Sequence, residues 1–433
     1  MSCWNPKVEM MPGEELRGLQ LKLLKSLVYR LYSFSPFYRE RMDAAHITPD
    51  DIKTLDDVEK LPFMVKADLR DIPMEKLFIA SNRELVRYHA SSGTTGKPTI
   101  VGYTKHDVDN WSESIARGLM SCGITQDDTI QVAYTYGLFT GGLGLHYGAE
   151  RMGATVVPSS TGNSERQLDL IRSLNVKAIA CTPSYLMHLG EVAAKMGIDI
   201  RKDTQLRIGV LGAEPWSDGM RDRIYESTGV KGINIYGTSE LSGPLWCECD
   251  QQNGMHVWGD LALVEIIDPK TGKKVGPGEK GELVITMLQK EALPIIRYRT
   301  GDITTLHEEP CACGRTHPRI GRISGRSDDM LIIRGINVFP SQIEYVLLSM
   351  PQLGNEFQII VERTGALDEM TVKVELKPEG FVDDMAKIEV LRDKIASKLR
   401  TTLMVNACIE LVEPGTLPRF EGKAKRVVDK RKY

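Results

Sequence analysis

The sequence contains no apolar run that approaches the roughly eighteen uninterrupted residues of a transmembrane helix. Its first residues, MSCWNPKVEMMPGEELRGLQ, lack the basic segment and apolar stretch that mark a secretory signal. Neither sign of charge is in excess, since 55 basic and 58 acidic residues leave a net charge of −3. We therefore expect a cytoplasmic protein whose partners include neither a membrane nor a nucleic acid.

Cysteine is also scarce, because 8 residues in a chain of 433 are too few for a disulfide-stapled scaffold. Four of them form two close pairs, Cys247 with Cys249 and Cys311 with Cys313. Pairs of thiolates together with an imidazole are a typical ligand set for zinc. The spacing favours a metal site over disulfides, although reduced surface thiols would give the same sequence.

Residues 91–99, SSGTTGKPT, are rich in glycine and hydroxyl side chains but do not form a Walker A phosphate loop. In that loop four residues separate the glycines and a serine or threonine follows the lysine. Here Gly93 and Gly96 are three positions apart, and Pro98 follows Lys97. The stretch favours either another kind of anion-binding loop or a flexible surface loop. The chain also lacks the GxSxG pattern of a serine nucleophile.

The pattern of apolar residues predicts an α/β fold in two domains. Leucines at helical spacing predict a helix over residues 14–32. Between residues 105 and 240, strand-like runs alternate with helical patterns, which is typical of a parallel sheet flanked by helices. Those runs are residues 129–135, 154–159, 178–182, 207–213 and 232–237. Residues 262–306 predict a small antiparallel region.

Beyond the polar run near residue 327, the order of strands and helices is that of a small α+β domain. We therefore expect a large N-terminal domain, residues 1–326, and a small C-terminal domain, residues 327–433.

Five motifs occur in a characteristic order: SSGTTGKPT, YGTSE (236–240), YRTGD (298–302), GRISGRSDDMLIIRG (321–335) and LPRFEGKAKR (417–426). Together they resemble the adenylate-forming superfamily of acyl-CoA synthetases, and nearly the whole chain resembles its phenylacetate-CoA ligase family. The resemblance implies an AMP-forming acid–thiol ligase that uses ATP, Mg²⁺ and coenzyme A. An aryl or arylacetic acid would be activated as acyl-AMP with release of pyrophosphate. Transfer of the acyl group to coenzyme A would then release AMP.

The resemblance also implies roles for individual residues. Tyr236 would stack on adenine, Thr238 would contact the α-phosphate, and Glu240 would help to hold magnesium. Asp302 and Arg326 would bind the ribose hydroxyls. The residues implied to bind ATP are Ser91, Ser92, Gly93, Thr94, Thr95, Gly96, Lys97, Gly212, Ala213, Glu214, Tyr236, Gly237, Asp302 and Arg326, and the catalytic residues are Thr238, Glu240 and Lys423.

The C-terminal domain of this superfamily takes two orientations, one for each half-reaction. Lys423 matches the lysine that contacts the carboxylate and the α-phosphate during adenylation, where a positive charge offsets developing negative charge. The alternative is a solvated basic tail, KAKRVVDKRKY. Asp328 matches the hinge of the moving domain, and Tyr136 matches the tyrosine of the aryl pocket.

Zinc would be held by three thiolates and one imidazole in a closed, structural site. The predicted ligands are Cys249, His256, Cys311 and Cys313, where Cys249 is preferred because ECxxQNGxHxW resembles zinc-containing ligases of this family. The competing ligands Cys247 and His317 stay open.

Two other functions share this sequence pattern. Relatives with the same motifs adenylate other acceptors, including a deazaflavin hydroxyl. The third hypothesis, after the ligase and this one, is a zinc-stapled adenylation fold without catalytic activity. The presence of Lys97, Glu240, Asp302, Arg326 and Lys423 disfavours the third. The resemblance implies a homodimer, and the sequence leaves the physiological carboxylic acid and the oligomeric state open.

Overall fold

The computed structural model describes residues 3–91, 98–327, 331–333, 336–364, 367–377, 385–420 and 426–431. The chain forms two compact units. Unit one comprises residues 1–160, 174–180 and 233–322, and unit two comprises residues 161–173, 181–232 and 323–433.

The described α-helices, in chain order, are α1 (Pro6–Glu9), α2 (Gly13–Phe34), α3 (Pro36–Ala44), α4 (Lys66–Asp71), α5 (Met74–Leu77), α6 (Lys105–Ser121), α7 (Thr140–Arg151), α8 (Ser164–Ser173), α9 (Pro183–Lys195), α10 (Ile200–Asp203), α11 (Asp218–Thr228), α12 (Pro340–Leu348) and α13 (Met385–Leu403). Short 3₁₀ turns occur at Pro49–Asp51, Leu55–Lys60 and Ser239–Leu241.

The described strands are β1 (Leu85–Ala90), β2 (Ile100–Thr104), β3 (Thr129–Val132), β4 (Thr155–Val157), β5 (Ala178–Cys181), β6 (Ile208–Leu211), β7 (Lys231–Tyr236), β8 (Trp246–Cys247), β9 (Met255–His256), β10 (Ala262–Ile267), β11 (Gly281–Met287), β12 (Tyr298–Thr304), β13 (Leu306–His307), β14 (Arg319–Ile320), β15 (Gly325–Arg326), β16 (Leu331–Ile333), β17 (Ile336–Val338), β18 (Leu353–Thr364), β19 (Leu367–Leu376), β20 (Cys408–Val412) and β21 (Val427–Asp429).

Helix α2 confirms the helix predicted from leucine spacing. Leu16, Leu24, Leu27 and Leu31 are buried, because residues three or four positions apart share one face of a helix. No helix in the described part of the chain combines the length and hydropathy needed to cross a bilayer.

Parallel pairing in unit one follows the predicted alternation of strands and helices. Strand β3 pairs in parallel with β4 and with β5, so that Ile130 lies opposite both Val156 and Ala178. Strands β10, β11 and β12 pair antiparallel, as predicted for the region after residue 262. Strand β7 ends at Tyr236, where antiparallel pairing places Trp246 of β8 opposite it.

The C-terminal part of unit two is a small α+β segment, as predicted. Its sheet has the order β20-β19-β18-β21, in which β18 and β19 pair antiparallel and the outer strands pair in parallel. Residues of α12 and α13 share one apolar core with this sheet, which includes Ile343, Leu347, Ile359, Val372 and Leu399.

Within unit two, the side chain of Arg223 on α11 holds the loop that connects α12 to β18 through several hydrogen bonds. Its guanidinium donates hydrogen bonds of 2.8–3.2 Å to the carbonyl oxygens of Leu348, Met350, Leu353 and Gly354 and to Asn355 Oδ1. A planar group with five N–H donors is suited to hold such a turn of carbonyl groups.

Candidate functional site

The YGTSE motif lies in a tight turn that begins where β7 ends. Gly243 N donates a 2.7 Å hydrogen bond to Thr238 O, which closes the turn. A Cβ atom at Gly237 would lie 2.6 Å from Gly243 Cα, so only glycine fits this approach of two backbone segments. Ser242 has a φ of +67° and follows the 3₁₀ turn Ser239–Leu241. The chain reversal thereby fixes Thr238 and Glu240 on one short loop.

Two polar atoms of this turn are buried without a hydrogen-bond partner among the described residues: Thr238 Oγ1 and Glu240 Oε1. Glu240 is 3% exposed, and Lys66 Nζ lies 3.5 Å from its Oε1 atom. Leaving such atoms unsatisfied costs free energy, and a polar ligand would satisfy them. A buried carboxylate oxygen suits Mg²⁺, which binds protein sites through one or two carboxylates and phosphate oxygens.

The tyrosine and the aspartate of the two nucleotide motifs meet in unit one. Tyr236 Oη donates a 2.7 Å hydrogen bond to Asp302 Oδ2, and both side chains are buried. The Tyr236 ring stacks on Trp246, with ring centroids 5.9 Å apart. The backbone at Asp302 is fixed as well, because its N–H donates a 3.0 Å hydrogen bond to Thr300 Oγ1.

The other predicted nucleotide residues that the structure describes belong to unit two, apart from Ser91 in unit one. Gly212, Ala213 and Glu214 follow β6, and Ala213 has a φ of +70°. A non-glycine residue in this left-handed region is strained, as is common where backbone geometry serves binding. Glu214 Oε1 accepts a 2.8 Å hydrogen bond from Ser184 N. Arg326 ends β15.

Tyr136 is half-buried at the start of the α7 region. Its Oη atom lies 3.2 Å from His146 Nδ1, and His146 Nε2 lies 3.0 Å from Glu150 Oε1. Burial raises the pKa of Tyr136 to about 12, and the Glu150 charge adds to this shift, so the phenol stays neutral at physiological pH.

Cys249, His256, Cys311 and Cys313 form a buried cluster in unit one, with their ligand atoms all within 4.8 Å of one another. Cys249 Sγ lies 3.7 Å from Cys311 Sγ, and Cys313 Sγ lies 3.4 Å from His256 Nε2. Tetrahedral zinc with Zn–S bonds of about 2.3 Å and Zn–N bonds of about 2.0 Å separates two sulfurs by about 3.8 Å and sulfur from nitrogen by about 3.5 Å. The side chains therefore fit a zinc ion.

The four side chains of the cluster share protons. A hydrogen bond from Cys249 lowers the pKa of Cys313 and one from His256 lowers the pKa of Cys311, whereas the hydrogen bond with Cys313 and burial raise the pKa of Cys249. Thiolates are the form of cysteine that binds metal.

The two competing ligands have other partners. His317 Nδ1 accepts a 2.8 Å hydrogen bond from Gly259 N, and its Nε2 donates a 2.7 Å bond to Val8 O, which fixes the neutral tautomer. The Cys247 thiol interacts with Cys122. Neither belongs to the four-residue cluster.

Several predicted residues lie outside the described part of the chain: Ser92, Gly93, Thr94, Thr95, Gly96, Lys97, Asp328 and Lys423. Lys66, in contrast, is a described residue at the site that the sequence analysis did not predict. It lies in the segment LPFMVKADLR, whose sequence carries no sign of the contact with Glu240.

Family models match two parts of the chain: the AMP-binding enzyme model at residues 48–288 and the AMP-binding enzyme C-terminal domain at residues 335–431. A phenylacetate-coenzyme A ligase of Thermus thermophilus is 46% identical over 99% of this chain and 100% of its own length. The chain belongs to the phenylacetate-CoA ligase family. Another phenylacetate-coenzyme A ligase, from Escherichia coli, is 45% identical over 98% of this chain and 97% of its own length.

A solved structure is similar to this chain over nearly its whole length. The crystal structure of 2-hydroxyisobutyryl-CoA ligase with a bound acyl-AMP, in its postadenylation state, aligns with a TM-score of 0.92 at 32% identity and covers 98% of this chain and 92% of its own. Family membership confirms the predicted adenylate-forming α/β fold and the predicted class, an AMP-forming acid–CoA ligase.

Proposed function

We propose that this chain activates an aryl or arylacetic acid with ATP as acyl-AMP and then transfers the acyl group to coenzyme A. The observation that carries the proposal is the pair of buried atoms Thr238 Oγ1 and Glu240 Oε1 in the YGTSE turn, neither of which has a hydrogen bond among the described residues. A site for magnesium and phosphate would satisfy both atoms.

The chemistry requires positioning and charge more than a protein nucleophile. A carboxylate is a poor acyl donor because oxide would be its leaving group, whereas acyl-AMP releases AMP. Magnesium held by Glu240 would neutralise charge on the phosphates. Thr238 would contact the α-phosphate, and Tyr236 would hold Asp302 oriented for the ribose hydroxyls. Lys423 would offset charge where the carboxylate attacks phosphorus.

The two half-reactions would use two orientations of residues 327–433 relative to residues 1–326, with Asp328 as the hinge. Movement of one small domain would allow a single acyl pocket to serve both steps. Tyr136 would line that pocket, where an aromatic ring can stack against an aryl substrate.

A structural zinc ion would be bound by Cys249, His256, Cys311 and Cys313. Four protein ligands leave no position for substrate, so the ion would stabilise the fold and take no part in the reaction. The resemblance to the family supports a homodimer and a cytoplasmic location, and both stay predictions.

A pyrophosphate-release screen tests the function. The acids are phenylacetate, indole-acetate, benzoate and short fatty acids, each with and without coenzyme A. We expect an arylacetate to give pyrophosphate, and AMP and a thioester only with coenzyme A. Products of ADP and phosphate would rule out adenylation. Nucleotidyl transfer to a deazaflavin, without any coenzyme A dependence, would support the alternative acceptor.

A further inference from the structure

Lys290 carries a buried ammonium group that contacts the turn containing the YGTSE motif. It lies shortly after β11 and is 3% exposed. Nζ donates a 2.8 Å hydrogen bond to Ser242 Oγ and lies 4.2 Å from the centroid of the Tyr103 ring. No ion pair joins it to a carboxylate among the residues that the structure describes. An aromatic face and a hydroxyl are unusual as the main partners of a buried cation.

The surroundings of this ammonium include few groups that favour its charge. Desolvation lowers the pKa of Lys290 to about 8, against a smaller opposing effect of Asp107 on α6. Asp107 is itself engaged, since its oxygens accept hydrogen bonds from the backbone N–H groups that follow Lys290. Burial lowers the pKa of His89 on β1, and the positive charge of Lys290 makes a smaller contribution in the same direction. Arg30 of α2 donates a 2.6 Å hydrogen bond to Lys290 O, so it holds the backbone of the lysine.

Tyr103 and Lys290 contact residues that lie on either side of Glu240 in the sequence, Ser239 and Ser242. Tyr103 Oη donates a 3.2 Å hydrogen bond to Ser239 O, and Lys290 Nζ donates to Ser242 Oγ. Ser242 has left-handed backbone angles, a conformation that costs free energy for a residue other than glycine. A hydrogen bond from a charged donor is about twice as strong as one from a neutral donor. The charged lysine is thus well placed to keep Ser242 in this conformation.

We propose that Lys290 is a positioning residue for adenylation, whose ammonium holds Ser242 and thereby fixes Thr238 and Glu240 in the arrangement that binds the nucleotide. This inference rests on the proposed function. It extends the site by a residue that does not contact the reacting atoms and acts through Ser242. Loss of the charge weakens the bond to Ser242, so formation of acyl-AMP falls as the pH rises through about 8.

The test measures single-turnover formation of acyl-AMP between about pH 6.5 and 9.5, the range that brackets the titration. The variants are Lys290→Met, which keeps the length of the side chain without its charge, and Ser242→Ala, which removes the acceptor. Lys105→Met, on the exposed side of α6, is the matched control. Thermal melting of each variant verifies that it is folded.

We expect Lys290→Met to slow acyl-AMP formation at pH 7 by about thirtyfold, the scale of losing a hydrogen bond from a charged group. The wild-type decline above pH 8 should be absent in Lys290→Met and in Ser242→Ala, and the double variant should lose little more than either single variant. Lys105→Met should retain the wild-type rate and profile.

A decline above pH 8 that persists in folded Lys290→Met, or in folded Ser242→Ala if the lysine variant does not fold, would overturn the role of Lys290 and leave adenylation intact. A wild-type protein that forms no acyl-AMP from any acid would overturn both the proposed function and this inference.

Discussion

Tyr236 Oη donates a hydrogen bond of 2.7 Å to Oδ2 of Asp302, although 66 residues separate the two in sequence. The family resemblance gives these residues different targets, adenine for the tyrosine and ribose for the aspartate. The structure joins them directly. A buried carboxylate with a fixed donor on one oxygen presents its other oxygen in a defined direction, which is the geometry that recognition of ribose hydroxyls requires.

The hydroxyl of Tyr236 should therefore contribute to binding of ATP. In Tyr236→Phe the aromatic ring is retained, but Asp302 loses the hydrogen bond from the Tyr236 hydroxyl. We expect the KM for ATP to rise about tenfold or more, the scale of one hydrogen bond to a charged group. Steady-state kinetics measures this change. Tyr29→Phe, whose side chain is exposed on α2, should leave the KM unchanged. An unaltered KM in Tyr236→Phe would contradict the role of the pair.

Lys423 should act in only one half-reaction. Lys423→Ala is expected to slow acyl-AMP formation by about a hundredfold or more, the scale of losing one charge contact in a transition state. Thioester formation from supplied acyl-AMP and coenzyme A should survive, and rapid-quench assays of each half-reaction measure both. The control is Lys430→Ala, which removes an exposed ion pair with Glu362 and should affect neither step. Equal losses in both steps for Lys423→Ala would refute a step-specific role.

The cysteine cluster should bind about one zinc ion per chain. In Cys311→Ser/Cys313→Ser the zinc content should fall to background and the melting temperature should drop, because two thiolates of the closed site are gone. The folded fraction should still form acyl-AMP. Elemental analysis together with thermal melting measures both effects, and zinc-free wild-type protein would refute the site.

Cys247 supplies the matched control for the zinc ligands. Cys249→Ser should lose zinc, whereas Cys247→Ser should keep it, because the Cys247 thiol interacts with Cys122 and is not part of the cluster. The reverse result would show that Cys247 is the ligand.

Glu344 should make the stability of the C-terminal segment depend on pH. The pKa of this carboxyl is raised to about 7, mainly by burial, with a lowering effect of Arg426 and a smaller raising effect of Glu214. Because the pKa is higher in the folded state, the proton on this carboxyl contributes to stability in full below the ordinary pKa of 4.5. That contribution is lost as the pH rises through about 7.

Urea unfolding measures the effect of Glu344. We expect the free energy of unfolding to fall by on the order of 3 kcal/mol as the pH rises from below 4.5 to above 7, in addition to the effects of other groups. Glu344→Gln should remove this part of the dependence, since the amide does not ionise and its oxygen can still accept the 3.2 Å bond from Ser217 N. A pH dependence that is unchanged in Glu344→Gln would rule out the carboxyl as its source.

The sequence by itself determined the local structure and the class of chemistry. Leucine spacing predicted α2, since a 3.6-residue period aligns side chains on one face, and apolar runs predicted β3, β5 and β6 at nearly the observed residues. The order of five motifs indicated an adenylate-forming ligase, and the paired cysteines indicated a metal site. Each of these signals lies within a few consecutive residues or in their order along the chain.

Only the tertiary structure decided which distant side chains meet. The contacts of Tyr236 with Asp302, of Lys66 with Glu240 and of Lys290 with Ser242 each join segments that are far apart in the sequence. Likewise, His317 is not part of the cysteine cluster, and both of its ring nitrogens have backbone partners instead. Such contacts depend on the path of the whole chain and on side-chain rotamers, and neither is encoded in local periodicity.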